Sequence, residues 1–313
     1  MLPSSLKKLI LNLLLIILPM CSAIAESSGH IQPATVFIKN FQDAREAQRL
    51  ISSAISLPPE RRIPFISAYF LGRKYHPETK KRIKEERKQS TTRTEASNPQ
   101  PLPVQIFQTD LTFLDCMTYV EQVMALANSE KADYSGSFIQ RLIDITYSAD
   151  GKPLMNHQRN HFTSQWADIN ESKGYLKNIA RNHPEAKVRT VFLNKVGNNR
   201  TFYVEDRFMI ATSAQTIWYF PSQAVFAGKL PLISGDILAL VCDKEGLDVT
   251  HMAFYIEQSG KKIFRHASYT KNRVVDDDFL SYLRGNKDFK GLMVLRPIFE
   301  APQPPIYRVL AKD

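Results

Sequence analysis

The sequence predicts an α+β fold, a helical N-terminal part followed by a C-terminal antiparallel β-sheet or barrel. Three features predict it. Apolar residues recur at helical spacing before about residue 187, short β-branched and aromatic runs follow, and Gly, Asn and Asp break those runs at hairpin intervals. The 313 residues are 43% hydrophobic and 23% charged, which supplies one large core or two modest ones. A disordered chain, a collagen-like repeat and a disulfide-dense miniprotein are excluded.

Taken in order, the first element is an address. Lys7 and Lys8 precede an apolar run from Leu9 to Met20, and Ala23-Ile24-Ala25 follows, which are the three parts of a secretory signal peptide. A permanent anchor needs roughly 20 apolar residues, and Met20 is too large to precede a lipidated Cys21. Cleavage is expected after Ala25, giving an exported protein, periplasmic or secreted, with no transmembrane helix after processing. Net charge then falls from +10 to +8 with the loss of Lys7 and Lys8.

Ala44, Ala47, Leu50, Ile51, Ala54 and Ile55 mark a helix that Pro58-Pro59 ends, and Ile63–Leu71 a second one closed by Gly72. Residues 78–103 read as a polar, basic and finally Pro-rich insertion. From Arg73 to Arg93 there are nine basic residues and three acidic ones. Such a run is a solvated segment or a contact for an anionic cell-envelope polymer. No nucleic acid is expected, because no aromatic residues interleave with the charges. Order returns at Val104. Asp115 suits a helix N-cap, and Val120, Val123, Met124 and Ala127 form one stripe with Cys116 at the helix start. Further helix is expected at Ser137–Tyr147 and Lys173–His183. Strands are expected at Lys187–Leu193, Thr201–Val204, Asp236–Val241, Val249–Glu257, Lys262–His266 and Leu292–Arg296. The chain thus divides into a mainly helical part, 26–186, a β part, 187–300, and a tail, 301–313.

A thiol gains nucleophilicity where oriented backbone N–H groups lower its pKa, and Cys116 occupies such a helix start. It also needs an imidazole to take its proton and a group to orient that imidazole. His251 and His266 flank a hairpin turn at Gln258-Ser259-Gly260. A turn centred between Gln258 and Ser259 sets them opposite each other, whereas Ser259-Gly260 as the two-residue turn makes them diagonal neighbours. Both registers leave the rings on one face, about 5 Å or about 7–8 Å apart at Cβ. After processing only Cys116 and Cys242 remain, and one disulfide between them is the competing reading in an oxidising compartment. Cys242 follows the apolar Ile237–Val241 and reads as a buried small hydrophobe. His157 and His161 have the spacing of a metal pair, without the intervening Glu of a zinc protease. Arg159 can meet a carboxylate in two-point fashion, and Trp166 can stack on a sugar or peptide face.

Leu71-Gly-Arg-Lys-Tyr75, Leu114-Asp-Cys-Met-Thr-Tyr-Val120, Ser234-Gly-Asp-Ile237, Thr250-His-Met-Ala-Phe-Tyr255 and Phe264-Arg-His-Ala-Ser268 follow one another as in NlpC-type papain-like cysteine peptidases, which act on peptidoglycan. Within that group, Asp115–Ala127 and Arg159–Trp166 look most like the N-acetylmuramoyl-L-alanine-amidase-like family. The resemblance covers roughly residues 60–300 and departs from the family in the length of 78–103. It implies a papain-like fold with Cys116 as nucleophile, His251 as general base and acid, and His266 as the orienting third member. It places Tyr75 at the site's edge. Tyr75, Asp115, Arg159, His161 and Trp166 are the candidate substrate-binding residues. No metal or cofactor is implied.

The expected substrate is peptidoglycan or a muropeptide, cut at the lactyl-to-L-Ala amide or, alternatively, at the γ-D-glutamyl-diamino-acid bond. Two other classes compete: a zinc amidase using His157 and His161, and a non-catalytic cell-wall binding module with Cys116 bridged to Cys242.

Overall fold

In the computed structural model, residues 35–38, 42–75, 105–107, 110–131, 133–147, 159–195, 213–300, 303–304, 306 and 308–311 are described. The expected signal segment 1–25, the expected insertion 78–103, His157 and the expected strand Thr201–Val204 lie outside them. The first described elements are strand β1 (Thr35–Ile38) and helices α1 (Gln42–Ile55) and α2 (Pro59–Tyr69). Pro58 and Pro59 break α1 from α2 as expected, and Pro59 fits the first turn, where its missing N–H costs nothing. Gly72, at φ +84°, turns the chain out of α2 into β2 (Lys74–Tyr75).

Strands β3 (Gln105–Phe107) and β4 (Phe113–Leu114) lead to α3 (Cys116–Ala127). A π-turn, Tyr134–Ile139, then runs into α4 (Gln140–Thr146), within the expected region. The next helix, α5, is Thr163–Ser172, and it corrects the expectation of a helix over Lys173–His183. Gly174 at φ +81° ends α5, with the Gly174 N–H bonded to Glu171 O and the Tyr175 N–H to Asn170 O. The segment beyond it forms β5 (Leu176–Asn178) because a neighbouring strand captures it.

The remaining elements are β6 (Lys187–Leu193), β7 (Ser213–Pro221), the short α6 (Ser222–Phe226), β8 (Ile237–Val241), β9 (Val249–Gln258), β10 (Lys261–Ser268), β11 (Arg273–Asp278), α7 (Phe279–Gly285), β12 (Gly291–Pro297) and β13 (Arg308–Ala311). One ten-stranded sheet runs β4-β2-β11-β10-β9-β8-β12-β7-β6, with β5 on β12, and within it only the β2–β4 pair is parallel. The fold class is therefore α+β around a large, mostly antiparallel sheet. A separate three-stranded parallel sheet, β13-β1-β3, was not expected from sequence. Among the described residues no helix is long and apolar enough to cross a membrane.

Strand alternation divides the core between the two faces of the sheet. Ala239, Met252, Phe254, Met293 and Leu295 meet α1 to α5 on one face. Leu238, Leu240, Ala253, Tyr255, Phe264 and Leu292 meet α6 and α7 on the other. Helix α3 belongs to the first face and is buried from Tyr119 to Ala127. Burial of a large apolar side chain contributes ~1.5–3 kcal/mol, so Tyr119, Val120, Val123 and Met124 together hold the helix, and Cys116 at its tip, in one place.

Candidate active site

Asp115 fixes how α3 begins. Its Oδ1 accepts from the Met117 N–H at 3.0 Å and the Thr118 N–H at 2.8 Å, while Thr118 Oγ1 accepts from the Asp115 N–H at 2.9 Å. This closed capping box sets Cys116 in the first helical turn. Asp115, expected to touch substrate, thus works first as a cap. Around the half-buried Cys116, the phenols of Tyr75 and Tyr282 both carry raised pKa values. Burial is the larger cause in each, and the charge of Cys116 is the next. Tyr75 packs edge-on against the exposed Tyr269, with ring centroids 5.5 Å apart.

The hairpin adopts the second of the two open registers. Lys261 pairs with Gln258, and Ser259 and Gly260, at φ 51° and 74°, form the two-residue turn. His266 is therefore the diagonal neighbour of His251. A bulge lies beside His251: Leu240 pairs with His251 while Val241 pairs with Val249, leaving Thr250 as the extra residue. The rings stand nearly perpendicular, and His251 Nε2 lies 2.7 Å from His266 Nδ1. A second diagonal step continues the line. In the β10–β11 pair Phe264 faces Asp277, so Asp277 is diagonal to His266, and its Oδ2 lies 3.1 Å from His266 Nε2. Lys271 Nζ bonds the other oxygen, Oδ1. His251, His266 and Asp277 thus form one hydrogen-bonded file on one face.

That face is the one covered by α7. Tyr282 stacks on Phe264 at 4.2 Å and meets His266 edge-on at 4.7 Å. The body of α3 packs on the opposite face, and Cys116 at its start packs against that same core. Strand β4, which runs directly into Cys116, pairs with β2, and β2 pairs with β11 at Arg273. Tyr282 links the two sides: burial pushes its phenol up to about 12, and Cys116 and then Asp277 add to the rise.

Neither imidazole carries a proton readily. Burial first, and the neighbouring His266 second, hold His251 down at about 3. Burial also lowers His266, against the opposing pull of Asp277. Asp277 itself stays ionised: burial raises its pKa, but Lys271 and His266 override that and lower it. A neutral imidazole with an oriented partner is the form that can accept a proton, and burial makes His251 a weak acceptor.

A family model described as AmiA-like, N-acetylmuramoyl-L-alanine amidase-like, matches residues 65–292. The chain belongs to that family. The AmiA-like family is one of hydrolases directed at peptidoglycan-related substrates. A Legionella pneumophila protein of the DUF1460 family is 23% identical over 86% of this chain and 98% of its own, with a TM-score of 0.61. An N-acetylmuramoyl-L-alanine amidase from Bacteroides uniformis is 23% identical over 77% of this chain and 99% of its own, with a TM-score of 0.58. These likenesses establish a shared fold. No curated protein matches the sequence.

In this AmiA-like chain the other expected contact residues divide. Trp166 is fully buried on α5, which corrects the expectation that it stacks on substrate: it is core. Arg159 Nη2 bonds Glu121 Oε2 at 2.7 Å, and Glu121 lies on α3 and is 2% exposed. Its guanidinium therefore answers a carboxylate of the protein itself. His161 is half-buried in the segment entering α5. Among the described residues no three His, Cys, Asp or Glu side chains gather as a metal-ligand set. Cys242 is buried, with Sγ 3.8 Å from Asp248 O, and Cys116 and Cys242 form no disulfide with each other.

The Ser234-Gly235-Asp236 motif is structural. Gly235 sits at φ +102° against Ile63, and the fully buried Asp236 accepts from Arg296 through both oxygens at 2.9 Å. The sequence reading missed Asp277 and Tyr282. A four-residue turn after Ser268 makes β10–β11 partners sum to 541, which puts Asp277 two positions beyond Val275, the direct partner of His266, and so on its face. No local signal marks Tyr282.

Proposed function

We propose that this chain is an exported, NlpC-type papain-like cysteine hydrolase that cleaves an amide bond of peptidoglycan or its fragments, most specifically the bond between the lactyl group of N-acetylmuramic acid and L-alanine. The observation that carries the reading is the file of His251, His266 and Asp277, next to a Tyr282 that feels the charges of both Cys116 and Asp277. In the resting site His251 is neutral. As the sulfur of Cys116 attacks the carbonyl, the thiol proton passes to His251. The resulting imidazolium donates to the departing amine, and a thioester remains on Cys116. Water, deprotonated by His251, then hydrolyses the thioester and restores the thiol. Met117 and Thr118 give their backbone N–H groups to the Asp115 cap and so do not serve an oxyanion hole. The substrate lies outside the cytoplasm, which agrees with the signal segment at residues 1–25.

The test is mass spectrometry of defined muropeptides incubated with wild type and Cys116→Ala. Release of the peptide with a free L-alanine amine, by the wild type alone, is expected. Cleavage at the γ-D-glutamyl bond would move the assignment to the endopeptidase class. Activity abolished by chelator but insensitive to iodoacetamide would overturn the thiol mechanism.

A further inference from the structure

We propose that Asp277, gripped from its far side by Lys271, dictates the proton positions of both imidazoles and so makes Nδ1 of His251 the ring atom that accepts the thiol proton. The proposal rests on the Cys116–His251 reading above. It follows from the direction each bond must run. An ionised carboxylate only accepts, so His266 Nε2 must carry its hydrogen toward Asp277 Oδ2. A neutral imidazole has a single N–H, so His266 Nδ1 is an acceptor. His251 Nε2, 2.7 Å away, must then be the donor, and the lone pair of His251 resides on Nδ1. When the thiol S–H breaks and an N–H forms at Nδ1, the two existing N–H bonds stay where they are. The new imidazolium is balanced by the thiolate and lies in line with the Asp277 carboxylate. Asp277 touches neither substrate nor sulfur and is a positioning residue.

Lys271 makes the assignment testable. Its ammonium bonds Asp277 Oδ1. In Asp277→Asn the ammonium still requires an oxygen, which turns the amide –NH2 toward His266. His266 Nε2 must then accept, its hydrogen moves to Nδ1, His251 Nε2 becomes an acceptor, and Nδ1 of His251 is blocked by its own hydrogen. Replacing Lys271 by Met as well removes the claim on the oxygen and lets the amide turn back.

The experiment is long-range 1H–15N NMR of the full chain labelled at histidine, at pH 7 without substrate, with kcat and KM on the muropeptide measured alongside. Wild type is expected to show Nε2–H on both His251 and His266, and Asp277→Asn is expected to show Nδ1–H on both. kcat in Asp277→Asn should fall by about ten-thousandfold, as in a wrong-tautomer variant, with KM within about twofold. The double variant Asp277→Asn/Lys271→Met should recover the wild-type tautomers and at least about tenfold in kcat. A wild-type spectrum with the hydrogen on Nδ1 of His251, or an Asp277→Asn spectrum unchanged from wild type, overturns the proposal. The wild-type spectrum decides the tautomer even if a variant fails to fold. A wild type that has the predicted tautomers but cleaves nothing would overturn the hydrolase reading while upholding the file.

Discussion

An imidazole in water changes charge near pH 6.5, and in this site burial removes both rings from that range. On the proposed mechanism, the consequence is a general base that is already deprotonated well into acid. With His251 lowered to about 3, the group binds its proton only below that value. The acid limb of kcat/KM should therefore fall below about pH 5. A pH–rate profile from 4 to 8 checks this, and an acid limb centred near 6.5 would contradict it. The residues that make the site were unequally legible. The Asp115 cap before Cys116 and the shared face of His251 and His266 were legible, through capping and period-2 alternation across a short turn, which are local signals. The burial of Trp166 was not, because the face of α5 that turns inward is decided by tertiary packing.

Between elements, the approach to α3 is tied down by Asp43 on α1. Its Oδ2 accepts from the backbone N–H of Leu111, just before β4, at 2.9 Å. Burial, opposed by that hydrogen bond, raises its pKa from 3.8 to about 6. A carboxyl raised in the folded state stabilises the fold fully below its unfolded value and loses that contribution as pH rises through its folded value. The window here is pH 3.8 to about 6, and two units correspond to about 3 kcal/mol. Asp43→Asn keeps an acceptor for Leu111 and removes the charge. Its stability relative to wild type should rise across that window and level off above pH 7, by up to about 3 kcal/mol. Urea unfolding at pH 4 and pH 7.5 reads this, and an equal difference at both pH values would contradict it. The same scale explains the missed elements. Strand β11 ends in Asp276-Asp277-Asp278, residues with little intrinsic preference for strands, and is held there by pairing with β10. Residues 173–183 carry helix-forming side chains, but Gly174 and the pairing of β5 with β12 override them.

For the molecule as a whole, the division at residue 187 describes the order of elements along the chain, while the sheet ignores it. Strand β2, with β4 at its edge, pairs with β11, and β5 pairs with β12, so strands of the helical part join those of the β part, and residues Ala34–Asp313 form one compact unit. The large sheet was legible because alternation recurs over many short runs. The parallel β13-β1-β3 sheet was not, since pairing between distant segments leaves no local pattern. Unfolding should accordingly be a single transition. Trp166 on α5 and Trp218 in β7 report on the two parts, so fluorescence and far-ultraviolet circular dichroism in urea should coincide; two separated transitions would contradict a shared sheet. Arg296→Leu, which strips the buried Asp236 of its cation, should lower stability by about 3 kcal/mol while keeping one transition.

The central claim is that His251 serves the sulfur of Cys116, and it is tested most directly by the rate at which iodoacetamide alkylates Cys116 at pH 7, located by peptide mass spectrometry, in wild type and His251→Ala. Loss of a positioned general base costs about 10²–10⁴-fold, so Cys116 should react at least about a hundredfold more slowly in the variant, with the buried Cys242 unmodified in both. Equal alkylation rates would contradict the account.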